Sequence, residues 1–257
     1  MDNLWNTSYN RSVATTKPGK LKQLYAQLPA GTPLSSADLA DLGISADLAV
    51  HYARSGWLTR LARGVYCRPG DPLALYPSLN LLQRKIEGFH VGGKTALEWY
   101  GFRHYVLQRS TVYLYGWEDA RLPSWFLSRF PGEYHRKRLF DEQPGKPLKV
   151  DHYESRDNAP LVSTPERALL ELLSEVGVRQ PLPEASEIIE STYAMRADEL
   201  NELLMRCKSV KTVRLCVKLG HELNLPWVSK LDAKKLPTGS DRSWVSQSKD
   251  GLLVLKP

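Results

Sequence analysis

The sequence has few cysteines and no long apolar run. Its three cysteines, Cys67, Cys207 and Cys216, lie far apart and form no Cys-x-x-Cys pair. We therefore expect free thiols in a reducing compartment, and neither a disulfide framework nor a zinc site. No stretch of about 18 apolar residues occurs, and the first residues lack the apolar core of a signal peptide. These absences predict a cytoplasmic location and no membrane partner.

Motifs for catalysis and metal binding are also scarce. The six histidines show no metal-ligand spacing, and there is no serine nucleophile elbow and no carboxylate pair at nuclease-like spacing. The one compact group is Asp151, His152 and Glu154. On a strand, His152 and Glu154 would share a face and could act as a general base or hold a metal, but a polar strand end at the surface is the commoner explanation. The sequence therefore predicts no catalytic residue, no metal site and no cofactor.

Composition indicates a globular protein with a polyanionic partner. A chain of 257 residues with 42% hydrophobic and 25% charged side chains is long enough for two ordinary domains. Residues 1–72 carry 8 Lys and Arg against 5 Asp and Glu, residues 73–150 carry 12 against 7, and residues 151–257 carry 15 against 16. Because the positive charge resides in the first 150 residues, which carry +8 of a total net charge of +7, a nucleic acid is a favoured partner.

The stretch from Ser35 to Arg68 contains the signals of two short helices separated by a glycine turn. Ser35 and Ser36 offer N-cap hydroxyls to the first helix. Gly43 is placed to end that helix in a left-handed conformation, and Ser45 can cap the next one at once. Such a tight connection predicts a helix-turn-helix.

The second predicted helix has an apolar and a polar side. Leu48 and Tyr52 are four residues apart and are expected to point inward. The side chains expected to face solvent or a ligand are Ala46, Asp47, Ala49, Val50, His51 and Arg54. Small residues beside His51 and Arg54 suit a helix that enters the major groove of DNA.

A basic hairpin is predicted after this helix. Gly56 ends the helix, and residues 58–62 and 65–68 are expected to pair as two strands. They and their turn carry three arginines, Arg60, Arg63 and Arg68.

A further helix is predicted over residues 20–28, where apolar side chains recur on one face. We therefore expect a winged helix-turn-helix DNA-binding domain over residues 20–72, preceded by a flexible arm at residues 1–19. A winged helix that serves only as a protein-interaction module is an alternative, because fold alone does not fix function.

The residues from Gly88 to Thr95 match the phosphate-loop pattern G-x-x-x-x-G-K-T. That loop needs a buried strand before it, whereas the preceding segment is polar and has a helical pattern. We favour a glycine-rich turn with Lys94 exposed and Thr95 capping a helix. Nucleotide binding through Gly93, Lys94 and Thr95 is the alternative.

Residues 109–155 have a strand-like pattern. Four aromatic and β-branched segments, separated by Pro, Gly and Asp turns, predict a mixed or antiparallel sheet against helices. They are STVYLYGW, SWFLSRF, YHRKRLF and LKVDHYES. The first resembles part of a β-hairpin. The run from His135 to Arg138 adds positive charge, either on a solvated strand edge or along a phosphate backbone.

A strong helix start follows. Ser163 with Glu166 fits a capping box, and Thr164 with Pro165 at the first helical position fits equally well. The expected buried stripe is Leu169, Leu172, Leu173 and Val176.

Three more helices are predicted at residues 184–193, 197–207 and 210–223. Acidic residues dominate residues 151–204, and Lys211, Arg214 and Lys218 share one face of the last helix. These charges predict one acidic and one basic surface. The fold class is therefore α+β, with residues 73–257 forming a mixed α/β domain of a sheet plus a helical bundle.

Together these motifs resemble the AbiEi-type antitoxins of type IV toxin–antitoxin, or abortive-infection, systems. The resemblance covers about residues 20–223. It is carried by WLTRLARGVY from Trp57 to Tyr66, GKTALEWY within residues 92–100, and VSTPERALL from Val162 to Leu170. The polar first 18 residues and the complete G-x-x-x-x-G-K-T string are not features of that family.

The resemblance implies an autorepressor and antitoxin without enzymatic activity. Its winged helix would bind inverted repeats in double-stranded promoter DNA. Its C-terminal domain would counteract a nucleotidyltransferase-like toxin without requiring a stable complex. The DNA contacts implied for this sequence are Ser45, Asp47, His51, Arg54, Arg60, Arg63 and Arg68. The operator, the oligomeric state and the role of Arg167 stay open.

Overall fold

The computed structural model describes residues 24–25, 30–102, 111–156, 158–248 and 251–255. Contacts between Cα atoms divide the chain into two compact units, Met1–Asp71 and Pro72–Pro257, here called the N-terminal and C-terminal units. The predicted arm at residues 1–19 lies outside the described residues. Of the predicted helix at residues 20–28, the structure describes Leu24 and Tyr25, which are helical, and Leu24 is buried.

Within residues 30–71, the N-terminal unit contains two helices and a three-stranded antiparallel sheet in the order β1-β3-β2. Its elements are β1 (Leu34–Ser35), α1 (Ser36–Asp41), α2 (Ala46–Arg54), β2 (Thr59–Ala62) and β3 (Val65–Cys67). The predicted hairpin is β2–β3. The first strand was not predicted, because a two-residue strand has no periodicity to detect.

Local hydrogen bonds fix both helices of this unit. The hydroxyl of Ser35 accepts from the N–H of Asp38 at 3.2 Å, and the Asp38 carboxylate accepts from the N–H of Ser35 at 2.7 Å. This reciprocal pair is a capping box. Gly43 has a φ of 75° and follows α1, and the Ser45 hydroxyl caps α2 by accepting from the N–H of Leu48 at 3.3 Å. The two predicted helices and their glycine turn are therefore confirmed.

The prediction that Ala49 faces solvent is wrong. It is 0% exposed and belongs to the core of the N-terminal unit with Leu39, Ile44 and Leu58. Leu48 and Tyr52 are only partly buried. The inward side of α2 is therefore centred on Ala49, where a small side chain allows the helix backbone to approach the rest of the core closely.

The C-terminal unit contains a five-stranded mixed sheet in the order β6-β5-β4-β8-β7. The strands are β4 (His90–Val91), β5 (Val112–Gly116), β6 (Gly132–Arg136), β7 (Val150–His152) and β8 (Leu161–Ser163). Neighbours β4 and β8 run parallel, as do β5 and β6, whereas β4–β5 and β7–β8 are antiparallel. The mixed sheet is confirmed. The hairpin predicted around residues 112–115 is wrong, because β5 is an interior strand that follows β4 by a long connection.

Seven helices of the described chain belong to the C-terminal unit. They are α3 (Leu75–Gln83), α4 (Gly93–Trp99), α5 (Ser124–Leu127), α6 (Pro165–Glu175), α7 (Leu182–Glu190), α8 (Ala197–Met205) and α9 (Val210–Glu222). Two 3₁₀ turns (Tyr153–Ser155 and Val228–Lys230) and a two-stranded ribbon of β9 (Trp244–Ser248) and β10 (Gly251–Leu255) complete it. None of the described helices has the length and apolar character needed to cross a membrane.

One predicted strand is a helix. Residues 124–127 form α5, in which the adjacent side chains of Trp125 and Phe126 are both buried. An alternating strand would bury only one of two neighbours. The carbonyl of Pro123 accepts from the N–H groups of Phe126 and Leu127 and so begins the helix.

Helix α6 lies at the centre of the C-terminal unit and packs against α4, α7, α8 and α9. Thr164 is its N-cap residue and Pro165 its first residue, as one prediction had it. The capping box of Ser163 and Glu166 is absent, because the Ser163 hydroxyl instead donates to Glu171 at 2.8 Å. The predicted apolar stripe is buried, but so is the charged side of the helix. That charged side holds together much of the unit.

Candidate nucleic-acid interface

Helix α2 exposes a polar face. Asp47, His51 and Arg54 are spaced i, i+4 and i+7 and are all exposed, so they lie along one side of the helix. Ser45 is exposed at the N-cap. This face combines a carboxylate acceptor, an imidazole and a guanidinium, the kinds of groups that contact base edges in a major groove.

The β2–β3 hairpin adds two exposed arginines. Arg63 lies in the turn, next to Gly64, whose φ of 71° is the left-handed conformation that the turn requires. Arg60 donates through Nε to the carbonyl of Ala62 at 3.4 Å, so its stem follows the hairpin. A register shift between Arg60 and Ala62 locally bends β2. The hairpin therefore presents two guanidinium groups to solvent.

Arg68 has a different environment. It follows β3, its Nε lies 3.3 Å from a carboxylate oxygen of Asp71, and its guanidinium stacks 5.0 Å from the ring centre of Tyr25. Burial raises the pKa of the Tyr25 hydroxyl, which donates to the carbonyl of Trp57. Arg68 is therefore bound within the N-terminal unit, and its charge is partly compensated.

An exposed tryptophan beside α2 was missed by the sequence reasoning. Trp57 lies between α2 and β2, and 53% of its surface is accessible. Large exposed aromatic side chains are enriched at binding surfaces. The sequence signal for this site was a large aromatic residue directly after Gly56, which ends the helix. In the structure the next residue, Leu58, is buried and Trp57 is not.

The G-x-x-x-x-G-K-T string is not a phosphate loop. Strand β4 lies inside the string, whereas a phosphate loop follows its strand. The N–H of Gly93 donates to the carboxylate of Glu171 at 3.2 Å, and Lys94 forms a 2.5 Å ion pair with Glu184. These groups would bind phosphate in a true phosphate loop, but here they bind carboxylates of the same chain. The string therefore lacks the geometry of a phosphate loop, and two of its phosphate-binding groups already have carboxylate partners.

The side chain of Thr95 has a structural role. Its hydroxyl accepts from the N–H of Tyr113 at 2.9 Å and donates to the carbonyl of Thr111 at 3.3 Å. The prediction that Thr95 caps the helix is wrong, because the N-cap residue of α4 is Gly92. Thr95 therefore ties α4 to strand β5.

A buried charge network surrounds α6. Arg167 bonds Glu142 and Glu171, each at 2.7 Å, and Glu171 also bonds His90 at 2.8 Å. None of these four side chains is more than 2% exposed. Burial alone would raise the pKa of Glu171, but the His90 and Arg167 partners lower it to about 2. The network is closed to solvent and is therefore structural.

The basic run on strand β6 is only partly exposed. His135 is 2% exposed and stacks on Tyr115, with ring centres 5.0 Å apart. Lys137 binds the buried Glu175, whereas Arg136 and Arg138 face solvent. Because strand residues alternate in direction, the expected continuous solvated edge is wrong at His135.

The prediction of one acidic and one basic surface also fails in part. Glu166, Glu171 and Glu175 are buried by ion pairs. Arg214 is buried as well, and it donates to the carbonyls of Thr238, Arg242 and Leu255 at 2.6, 2.7 and 3.2 Å. This arginine anchors the C-terminal segments on α9.

The side chains of His152 and Glu154 do not come together as a catalytic or metal-binding group would require. His152 ends β7 and bonds the carbonyl of Ala159 at 2.7 Å. Glu154 follows in a 3₁₀ turn with a φ of 52° and pairs with Arg156 at 2.9 Å. Because the strand ends before Glu154, the two side chains do not share a strand face.

The described part of the chain contains neither a group of metal ligands nor an exposed thiol. No group of three or more His, Cys, Asp or Glu there could hold a metal ion. Cys67, Cys207 and Cys216 are free and buried. Burial raises the pKa of Cys207 to about 11 and that of Cys216 further, so both thiols are protonated at neutral pH.

The fold and the exposed site together define a two-unit α+β protein whose N-terminal unit exposes a polar helix face and a hairpin with two arginines. The chain belongs to the family of AbiEi antitoxins, transcriptional regulators of type IV toxin–antitoxin systems. Residues 17–108 match the N-terminal domain of AbiEi antitoxins, and residues 109–256 match the transcriptional regulator, AbiEi antitoxin, of type IV systems. The family predicted from the sequence is thereby confirmed.

A solved structure supports the fold over most of the chain. The crystal structure of the RV2827C protein from Mycobacterium tuberculosis matches with a TM-score of 0.53 at 16% identity, and the match covers 88% of this chain and 87% of that one. At this identity the similarity concerns the fold alone. A comparison with curated protein sequences gives no significant match.

Proposed function

We propose that the N-terminal unit is a winged helix-turn-helix that binds double-stranded promoter DNA and represses its own operon. The observation that carries this proposal is the exposed face of Asp47, His51 and Arg54 on α2, followed directly by Arg60 and Arg63 on the hairpin. Membership in a family of transcriptional regulators supports it. Nothing in the described part of the N-terminal unit resembles a catalytic centre.

The chemistry of each side chain suggests its role in the complex. Helix α2 fits a major groove about 12 Å wide, where Asp47 can accept from cytosine and Arg54 can donate to guanine. Ser45 lies at the N-terminus of α2, where the N–H groups favour a phosphate. Arg60 and Arg63 would bind phosphates beside the groove, as a wing does. Arg68 holds Tyr25 and thereby supports the surface from within.

Single replacement of Arg54, Arg60 or Arg63 by alanine is expected to weaken operator binding about tenfold. Each loses a charge-assisted contact of ordinary strength. A residue that contacts phosphate should also reduce the slope of log affinity against log salt by about one. Fluorescence anisotropy with a labelled fragment from upstream of the gene, at four salt concentrations, measures both effects.

Arg156→Ala is the charge-matched control, because this side chain is 76% exposed on the C-terminal unit. Its affinity and salt slope should equal those of the unmodified protein. Asp47→Asn is expected to relax the preference among operator variants while the salt slope stays unchanged. Unchanged affinity in all three arginine variants would refute the proposed interface. Absence of salt-dependent DNA binding, together with co-purification of a protein partner, would favour the protein-interaction module instead.

We also propose that the C-terminal unit counteracts a nucleotidyltransferase-like toxin without a stable complex. The support is membership in the antitoxin family and the separate core of this unit. The triple variant Arg54→Ala, Arg60→Ala and Arg63→Ala should therefore lose repression and keep protection. All three side chains are exposed on the N-terminal unit, so both cores should remain intact.

The measurement is growth of cells that express the toxin from an independent promoter, read beside a reporter driven by the native promoter. We expect full reporter activity and full growth with the triple variant. Loss of growth protection at equal protein level would show that antitoxin activity needs the DNA-binding surface.

A further inference from the structure

A cavity of about 380 Å³ opens on the C-terminal unit, beside the end of β6, the end of α6 and the start of α9. Its lining includes Lys137, Arg138, Lys208, Lys211, Ser209 and Trp244. Four of these side chains are cationic and none is acidic. Its volume lies in the range of small-molecule sites. We call it the basic cavity.

Two ammonium groups are held close together in its wall. Lys137 and Lys211 both donate to the carbonyl of Ser174, at 3.4 and 2.8 Å. Lys137 also binds Glu175, whereas the second acceptor of Lys211 is the neutral carbonyl of Val176 at 2.9 Å. Burial and the neighbouring Lys137 lower the pKa of Lys211. An anion in the cavity would relieve this repulsion.

The positive charges of Lys208 and Arg138 are less well neutralised by neighbouring groups than they would be in a buried ion pair. The side chain of Lys208 is 50% exposed, and its nearest acid, Asp141, lies 3.9 Å away and is 87% exposed. Arg138 stacks 4.9 Å from the ring centre of Trp117 and donates to the carbonyl of Glu142. The positive charge of the lining therefore exceeds the local negative charge.

The start of α9 adds neutral donors. The Ser209 hydroxyl accepts from the N–H and the hydroxyl of Thr212, at 3.3 and 2.9 Å, which leaves its own proton for another acceptor. The N–H groups of Val210 and Lys211 open a 13-residue helix and have no acceptor among the described residues. Such groups, next to lysine side chains, favour a phosphate oxygen.

We propose that the basic cavity binds a phosphate-bearing ligand of nucleotide size. Lys208, Lys211 and the N-terminus of α9 would hold the phosphates, and the partly exposed Trp244 would stack on the base. The lining residues belong to the C-terminal unit, and none of them is a residue of the proposed DNA-binding face. The basic cavity is also separate from the G-x-x-x-x-G-K-T string, whose donors already bind carboxylates.

Isothermal titration of the full-length protein with inorganic triphosphate and with ATP tests this proposal. Both should bind, and ATP should bind more tightly. Lys208→Ala and Lys211→Gln should each weaken both ligands about tenfold. Glutamine keeps a donor for the Ser174 carbonyl, so Lys211→Gln removes charge with little structural change. Trp244→Ala should lower the affinity for ATP to that for triphosphate.

Three control variants test whether the loss of triphosphate binding is specific to the basic cavity. The double variant Lys230→Ala and Lys234→Ala removes two exposed charges outside the cavity, Lys94→Ala removes the lysine of the glycine-rich string, and Arg54→Ala removes a proposed DNA contact. All should bind triphosphate as the unmodified protein does. Absence of binding at millimolar ligand, or equal affinity for ATP and triphosphate, would overturn the proposal. Displacement of triphosphate by the promoter duplex would assign the cavity to DNA phosphates and overturn it as well.

Discussion

Replacement of Arg167 by alanine should destabilise the C-terminal unit by about 3–5 kcal/mol, because it breaks a buried ion-pair network. The Arg167 guanidinium bonds Glu142 and Glu171 at 2.7 Å each and stacks 4.8 Å from the ring centre of Phe140. Without it, the buried Glu142 loses its ion pair with Arg167, and Glu171 keeps His90 but loses its second cationic partner. This loss is a large fraction of the about 5–15 kcal/mol by which native proteins are ordinarily stable.

Chemical denaturation followed by far-UV circular dichroism measures the loss, and hydrogen exchange of α6 assigns it to the C-terminal unit. Arg156→Ala, an exposed arginine of the same unit, should change the free energy of unfolding by less than about 0.5 kcal/mol. Arg167→Lys keeps the charge but loses the two-sided geometry, and it should give an intermediate value. An Arg167→Lys variant as stable as the unmodified protein, with Arg167→Ala within about 1 kcal/mol of it, would refute the structural role.

Acid should unfold the C-terminal unit through two buried carboxylates. Burial alone would raise their pKa values, but His90 and Arg167 lower the pKa of Glu171 to about 2, and His135 and Lys137 lower that of Glu175 to about 2. Because both values lie below the ordinary 4.5, the stabilisation is fully present above pH 4.5. It is lost as the pH falls from 4.5 towards 2.

In that window each carboxyl contributes up to about 1.4 kcal/mol per pH unit, so the free energy of unfolding should fall by up to about 3 kcal/mol per unit. Urea denaturation at half-unit steps from pH 2 to 7 measures the slope. Glu175→Gln removes one titrating group and should lower the slope by up to about 1.4 kcal/mol per pH unit, and Glu154→Gln, at an exposed turn, is the matched control. A Glu175→Gln slope equal to that of the unmodified protein would contradict the assignment.

The network explains a residue whose role the sequence left open. Arg167 lies in the VSTPERALL segment that carries part of the family resemblance. Its guanidinium reaches Glu142 and the carbonyl of Leu148, which precede α6 in the chain. Arg167 therefore joins the connection before β7 to the central helix.

The sequence by itself determined the local structure of the N-terminal unit. Ser35 and Ser45 begin helices and Gly43 follows the end of one, through hydrogen bonds that span three or four residues. Because these bonds are local, a short stretch of sequence is enough to predict them. The hairpin follows from Gly64 between two short apolar-polar segments. The family was also predictable, because its motifs are continuous stretches.

Only the tertiary structure decided which charged side chains of the C-terminal unit are buried. Glu171 looks like a polar position of an amphipathic helix, yet it is buried against His90, which is 81 residues away in the sequence. The basic cavity likewise combines the ends of β6 and α6 with the start of α9. Caps and turns depend on neighbours in the chain, whereas burial of a charge depends on a partner that the fold brings from a distance. The exposed arginines of α2 and the hairpin were therefore readable from the sequence, but the charged core around α6 was not.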